Sequence, residues 1–449
     1  MRGRGVPWRC APFAVARSIP RCHDAGSESG HHGRRALMGR LAASEYKGTG
    51  SPRVSLERLL NPGILVVVPA LALSLIGVSA IGTTEPGFAS RHLMYLLVGL
   101  VAAAIVAWSP WCRPSNLERW SPVLFAGSVL LLLIVIAPGV PESIVRARNG
   151  ARRWISLGFT DIQPAEVAKV AFILMLAAML QRTRSHRTMR GLVVPGFLAL
   201  VPAALIALEP DLDTTLLFVP VLVGVLLAAG CRKRHVAIFA VCASLVAPIA
   251  FFGGVLKPHQ RARIDAYIAQ LEGDPRYRND IGYQADRATT LIGAGGVWGM
   301  PSDEATIVIE RNRLPEEHND MVFSVICCRW GVMGAVGVWG LVAMFSIGCF
   351  LVANHTHDPW SRLVAVGAGC LVGSQAIINT GMNIGALPIA GITLPFVSYG
   401  GSSLVVSWML VGLVYGLALW KPRGVKRESF EFDDDRKPRD GGIVGWLAP

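Results

Sequence analysis

The stretch LPEEHNDMVF (314–323) ends in Asp320 at the threshold of a long apolar run. An acid at such a boundary can take a proton from a hydroxyl presented at a membrane surface. Upstream, NGARRWI (149–155) sets Arg152 beside Arg153, and Arg binds phosphate through paired N–H donors. In QPAEVAK (163–169) Pro164 suits the first turn of a helix, which puts Glu166 and Lys169 at i and i+3 on one face. That pair is either a self-neutralising structural ion pair or part of the wall of a polar cavity. LEPDLDTTLL (208–217) gathers Glu209, Asp211 and Asp213 in a very short connection. Three acids can hold a hard cation through oxygen; the spacing matches no known metal loop, and a polar hairpin at the outer surface is the plainer expectation. GYQADRATTLIGAGGVWGM (282–300) contains a Gly-rich turn, a phosphate cradle or a tight re-entrant turn. INTGMNIGALPIAGITLPFVSYGGSSLV (378–405) places Asn379, Asn383, Ser398, Tyr399, Ser402 and Ser403 near membrane depth. Its prolines and glycine pairs break helix there, which is tolerated where protein or a water-filled cavity covers the backbone; close packing by small residues is the competing reading.

The elements that must position these groups are apolar. Hydrophobic residues make up 52% of the 449 and charged residues only 16%, against roughly 25% charged in soluble chains. Mean hydropathy is +0.46. Ten candidate spans follow: 62–82, 90–110, 119–138, 164–181, 190–208, 212–230, 235–255, 321–352, 362–385 and 396–420. Each approaches the roughly 20 residues a helix needs to cross the hydrocarbon core. The fold expected is an all-α polytopic membrane protein of about ten transmembrane helices, with a long extracellular loop, 256–320, before the eighth.

The net charge of +13 is spread over short Arg clusters between spans, a topology signal and not a nucleic-acid stripe. Arg182 to Arg190, Arg232 to Arg234 and Lys421 to Arg427 fall on one side, which marks the cytoplasm and places both termini there. Arg146, Arg148, Arg152 and Arg153 break the rule on the outer side, which invites an anionic ligand at that face; a few charges that orientation tolerates in a short loop are the alternative. Nine scattered cysteines without a CxxC pair suggest neither a zinc site nor a disulfide framework. Residues 1–57 are expected to be a disordered basic extension or an over-extended start, 58–422 a membrane domain and 423–449 a cytoplasmic tail.

NGARRWI, QPAEVAK, EPDL-TT, the GYQ…IGAGG run, LPEEHNDMVF and NTGMNIGALPIAGITLPFVSYGGSS together resemble the SEDS family, cell-wall polymerases of the RodA and FtsW type. The resemblance runs from about residue 60 to 422, and the GMNIG wording is more like the elongation (RodA-like) branch. It implies a ten-helix glycosyltransferase of the bacterial cytoplasmic membrane that polymerises lipid II at the outer face, with Asp320 as the essential carboxylate. Arg152, Arg153 and Lys169, with Glu166, Ser398 and Tyr399, are then candidates to bind the lipid-linked diphosphate. The resemblance also implies a class B penicillin-binding protein as partner. No cofactor is readable; a divalent cation, Mg or Mn, bridging the diphosphate is compatible with the chemistry. The chain departs from the family where Cys328 and Arg329 replace the usual Glu-Glu pair, Arg287-Ala288-Thr289 a Gln-Ser run, Asp213 a Gly and Asn319 a Thr. A precursor flippase without bond-making, or a scaffold with altered catalysis, are the alternatives. A flippase would need a continuous charged path through the spans, whereas here the ionisable residues gather at the outer ends.

Overall fold

Four of the long apolar segments begin on a proline, whose missing N–H costs nothing in a first helical turn. They are α2 (Pro86–Trp108), α3 (Pro114–Ile136), α4 (Pro164–Arg182) and α12 (Pro359–Asn383). The computed structural model describes residues 61–148, 151–156, 158, 160–183, 188–209, 211–238, 240–241, 258–274 and 282–420. The other long helices are α1 (Ile64–Thr84), α5 (Val193–Leu208, entered through a 3-10 turn at Arg190–Leu192), α11 (Val322–His355) and α13 (Gly401–Leu419). Among the described residues, eight helices are long and apolar enough to cross a membrane. The shorter apolar stretch Leu212–Ala228 is broken at Leu217 into α6 (Leu212–Leu216) and α7 (Phe218–Ala228). Most of the expected span 235–255, the extension 1–57 and the tail 423–449 lie outside the described residues.

The solvent of these helices is lipid. On α2, Leu97, Val101 and Ile105 form an i, i+4, i+8 stripe in which each side chain is more than half exposed, an arrangement water would penalise. The opposite face of α2 packs on α13. There Gly412 lies so close that a Cβ would come within 2.3 Å of the Ala103 carbonyl oxygen, the small-residue contact that lets membrane helices approach. Helix α4 is the most enclosed of the spans; α3, α5 and α12 pack around it. Helix α12 also packs on α7 and α11, and α11 on α1.

The connections 139–163 and 256–320 carry structure that hydropathy alone does not show. Residues 139–163 hold a three-stranded antiparallel sheet of β1 (Val145–Arg148), β2 (Ala151–Ser156) and β3 (Asp161–Ile162), pairing Val145 with Ile155 and Ile155 with Ile162. The all-α expectation missed this small sheet because its strands are short and sit beside the apolar runs. The loop before α11 folds as α8 (Pro258–Glu272), α9 (Tyr283–Gly295) and α10 (Ser302–Asn312).

The Gly-rich turn packs against α11. α11 breaks at Gly331, φ +63°, where a Cβ would come within 2.4 Å of the Val297 carbonyl oxygen. Across this break Met300 N donates to the Cys328 and Arg329 carbonyls, and Val332 N donates to Gly296 O at 3.0 Å. The N–H groups of Gly296 and Gly299 donate to Gly293 O and Gly295 O. These backbone donors are committed to the helix junction, so the cradle reading is set aside in favour of the tight turn.

Arg329 has a structural occupation too. Its Nη1 donates to Ser79 O at 2.7 Å, Ser79 Oγ at 2.9 Å and Thr83 Oγ1 at 2.7 Å, and its guanidinium stacks over Trp330. It therefore ties this junction to the last two turns of α1, where a cation also complements the helix dipole. Arg329→Ala is expected to destabilise the protein by about 1–3 kcal/mol, read as a lower melting temperature in detergent, with the activity per folded molecule retained.

Candidate active site

Asp320 is held by its backbone. Its carbonyl oxygen accepts from Asn379 Nδ2 at 2.8 Å and Asn383 Nδ2 at 3.0 Å. Both asparagines are fully buried on α12, one helical turn apart. Asn379 donates also to Ile392 O at 2.7 Å, and Asn383 Oδ1 accepts from Ser324 Oγ at 2.7 Å. The amide pair thus ties the end of the outer loop to α12, to the 384–400 loop and to the first turn of α11.

The preceding turn is gripped by rings. His318 stacks on Phe88 at 4.5 Å between centroids, and Tyr399 lies 4.7 Å from Phe88. Tyr399 N donates to His318 O at 2.9 Å, and Ser398 Oγ accepts from Leu394 N at 2.7 Å. Tyr399 therefore braces the turn that leads into Asp320, while Ser398 closes a turn within its own 384–400 loop.

With its backbone fixed, the Asp320 side chain is left chemically poised. Oδ1 is buried and has no hydrogen-bond partner among the described residues. Burial pushes its pKa from 3.8 up to about 7; Glu316 and Asp213 add to the rise, while its own backbone N–H and Arg263 oppose it. A base of that strength switches protonation state near neutral pH, where general-base catalysis is most effective. Arg329 is not among the charges acting on it.

The acid turn 209–213 is not the polar surface hairpin expected from sequence. Glu209 and Asp211 are only 2% and 4% exposed, because Arg153 covers them. Arg153 Nε donates to Glu209 O at 3.0 Å, and its Nη1 lies 3.6 Å from Asp211 Oδ2. Gln163 and the Thr214 N–H complete the shell of Asp211. Burial pushes Glu209 up to about 8, the Asp211 charge adding and Arg153 opposing; burial also raises Asp211.

β1 pairs Arg146 with Trp154 and Ala147 with Arg152, so a bulge leaves Arg153 as the extra residue of β2 and sends the two arginines to different partners. Arg153 turns to the acid turn, whereas Arg152 Nη2 donates to Val140 O in the preceding connection. Lys169 Nζ donates to Glu166 Oε1 at 2.9 Å, both side chains buried on α4. Asp213, two residues beyond Asp211, faces the Asp320 side: its Oδ2 accepts from Arg263 Nη1 at 2.6 Å and Gly391 N at 2.8 Å. The charges of Asp213 and Arg263 thus act on Asp320, while Arg153 contacts Glu209 and Asp211, the 209–213 turn joining the two groups. Arg263 was not anticipated from sequence; the signal available was a polar face at 263, 267 and 270 on an otherwise featureless helix.

Among the described residues no group of three or more His, Cys, Asp or Glu is placed to hold a metal ion. The nearest carboxylates fit one poorly, since Asp213 is committed to Arg263 and Gly391, and Asp211 to Arg153, Gln163 and Thr214.

A bundle of apolar helices with exposed lipid-facing stripes, and a neutral-range carboxylate and arginines in its connections, defines a multi-pass membrane protein. Residues 56–421 match the family model FTSW_RODA_SPOVE, described as cell cycle protein. The chain belongs to this family, the SEDS proteins. It is 32% identical over 336 residues to a probable peptidoglycan glycosyltransferase FtsW of Coxiella burnetii, covering 73% of this chain and 85% of that one. It is 33% identical over 395 residues to the protein of the same description from Thiomicrospira cyclica, covering 84% and 96%. Among solved structures it resembles a chain of a peptidoglycan synthase complex described as coordinating polymerization and crosslinking, at TM-score 0.66 and 29% identity over 79% of this chain and 96% of that one. It also resembles the rod shape determining protein RodA of Thermus thermophilus, at TM-score 0.57 and 26% identity over 79% and 95%.

Proposed function

We propose that this protein is a peptidoglycan glycosyltransferase that polymerises lipid II into glycan strands at the outer face of the bacterial cytoplasmic membrane, with Asp320 as general base. The observation that carries the reading is the Asp320 carboxylate, fixed through its backbone by Asn379 and Asn383 while Oδ1 stays buried and unpartnered. The family and the named relatives support it.

In the reaction a sugar hydroxyl of one substrate attacks the anomeric carbon of the other. The new glycosidic C–O bond forms as the bond from that carbon to the lipid-linked diphosphate breaks. The hydroxyl proton passes to the Asp320 carboxylate, and the leaving diphosphate departs with the bonding electron pair. Arg153 is the cation proposed to meet the diphosphate, exchanging part of its contact with Asp211 for phosphate oxygens. Arg152, Lys169 and Glu166 support the same face, Arg152 by ordering the sheet and the pair by holding the start of α4. Tyr399 braces the turn that presents the base, while Ser398 closes a turn within its own loop. No step requires a protein-held metal; a Mg or Mn ion would travel on the diphosphate.

The partner we propose is a class B penicillin-binding protein, supported by the likeness to a chain of a synthase complex. The charge pattern supports a cytoplasmic position for both termini. The GMNIG wording favours a role in elongation, whereas the relatives named FtsW favour division; rescue of an elongation-deficient or a division-deficient strain separates the two. Purified protein in vesicles should convert lipid II to polymer. Lipid II crossing the bilayer with no polymer formed, even with a transpeptidase present, would replace this reading with the flippase.

A further inference from the structure

Helix α8 is polar, and one face of it is wholly engaged. Arg263, Tyr267 and Gln270 stand at i, i+4 and i+7. Arg263 Nη1 reaches Asp213 Oδ2 at 2.6 Å, Tyr267 Oη donates to Ala386 O at 2.9 Å and Gln270 Nε2 donates to Gly385 O at 3.3 Å. Asp213 Oδ2 takes a second donor from Gly391 N. The 385–391 loop leaves the end of α12, whose Asn379 and Asn383 hold the Asp320 carbonyl. An ion pair carried by two distant segments is thus fastened to the same piece of chain that fastens Asp320.

We propose that Asp213 and Arg263 form a counter-ion pair that sets the protonation of Asp320, with Arg263 a positioning residue shared between the two carboxylates. The inference rests on the reading of Asp320 as general base. Among the described residues, the charged groups that bear on Asp320 are Glu316 in its own turn, Asp213 from the acid turn and Arg263 from α8, while α12 presents the neutral asparagines. Arg263 and Asp213 act in opposite senses. While Asp213 holds the guanidinium, Asp320 feels an incomplete cation and an extra anion, and stays easier to protonate. Without Asp213 the guanidinium is free to turn to Asp320 and favour its ionised form. The pair therefore tunes the base without touching substrate.

The test is the pH profile of lipid II polymerisation by the full-length protein in vesicles across the neutral range. Asp213→Asn should move the midpoint of the acid limb down by roughly half to one pH unit, and Arg263→Gln should move it up by a similar amount. The double variant should return toward the wild-type midpoint, and Arg263→Lys should stay close to it because the charge is kept. Rates that fall uniformly, with every midpoint unmoved, would show the pair to be only a structural latch for α8 and would overturn the proposal. Undiminished activity in Asp320→Asn is a different failure, since it would remove the base reading itself.

Discussion

Asp320→Asn is expected to lower lipid II polymerisation at neutral pH by roughly 10²- to 10⁴-fold, the contribution of a positioned general base, while leaving the fold intact. The amide has the shape of the carboxylate, and the contacts that fix this residue run through its backbone carbonyl to Asn379 and Asn383. What is lost is the group that accepts the proton. The wild-type rate should fall as pH falls through about 7, because burial raises the Asp320 pKa to that value and only the ionised form is a base. The residual rate of the Asn variant should lack that limb. Stability should respond in the other direction. A carboxyl whose folded pKa lies above its unfolded 3.8 adds stability that is complete below that value and is lost as pH rises through about 7. The neutral amide escapes this loss, so above about pH 7 Asp320→Asn should melt at or above the wild-type temperature. Thermal unfolding in detergent on either side of neutrality measures it. A melting temperature well below wild type at both pH values would mean that lost activity reports unfolding, and the assignment would fail.

The parts of the molecule that were readable in the sequence are those fixed by local physics. Runs of apolar residues fix the spans, Pro164 fixes the start of α4, and the i, i+3 spacing brings Lys169 within 2.9 Å of Glu166. The contacts that define the site come from long-range packing. Glu209 and Asp211 looked solvated because their neighbours in sequence are polar, yet Arg153, more than fifty residues earlier, covers them. Arg152 and Arg153 looked equivalent as neighbours, but a bulge at Arg153 sends them to different partners. Arg329 looked like a disturbance beside the base, but its donors are spent on Ser79 and Thr83, more than two hundred residues away. Arg263 gave no motif at all, since its role depends on a docked helix face that hydropathy does not single out.

The second large effect is expected from the asparagines, which touch no substrate. Asn379→Ala and Asn383→Ala each remove one donor from the Asp320 carbonyl and leave a second buried group without its partner, the acceptor Ile392 O in the first case and the donor hydroxyl of Ser324 in the second. A buried group left unsatisfied costs about 1–3 kcal/mol, so each variant should melt lower than wild type. The larger consequence is positional. Misplacing a reacting group by about 1 Å can cost on the order of 10²-fold in rate, and these two amides are the link between the Asp320 backbone and the rigid helix α12. Each single variant should lose roughly tenfold or more, and the pair should lose about as much as Asp320→Asn, because a base out of reach equals a base removed. The double variant combined with Asp320→Asn should therefore be no slower than Asp320→Asn alone. Rates are to be compared per folded molecule, with the folded fraction taken from size-exclusion chromatography in detergent. If the losses multiply across that cycle, the asparagines act on something other than Asp320, and the clamp is not the device that delivers the base.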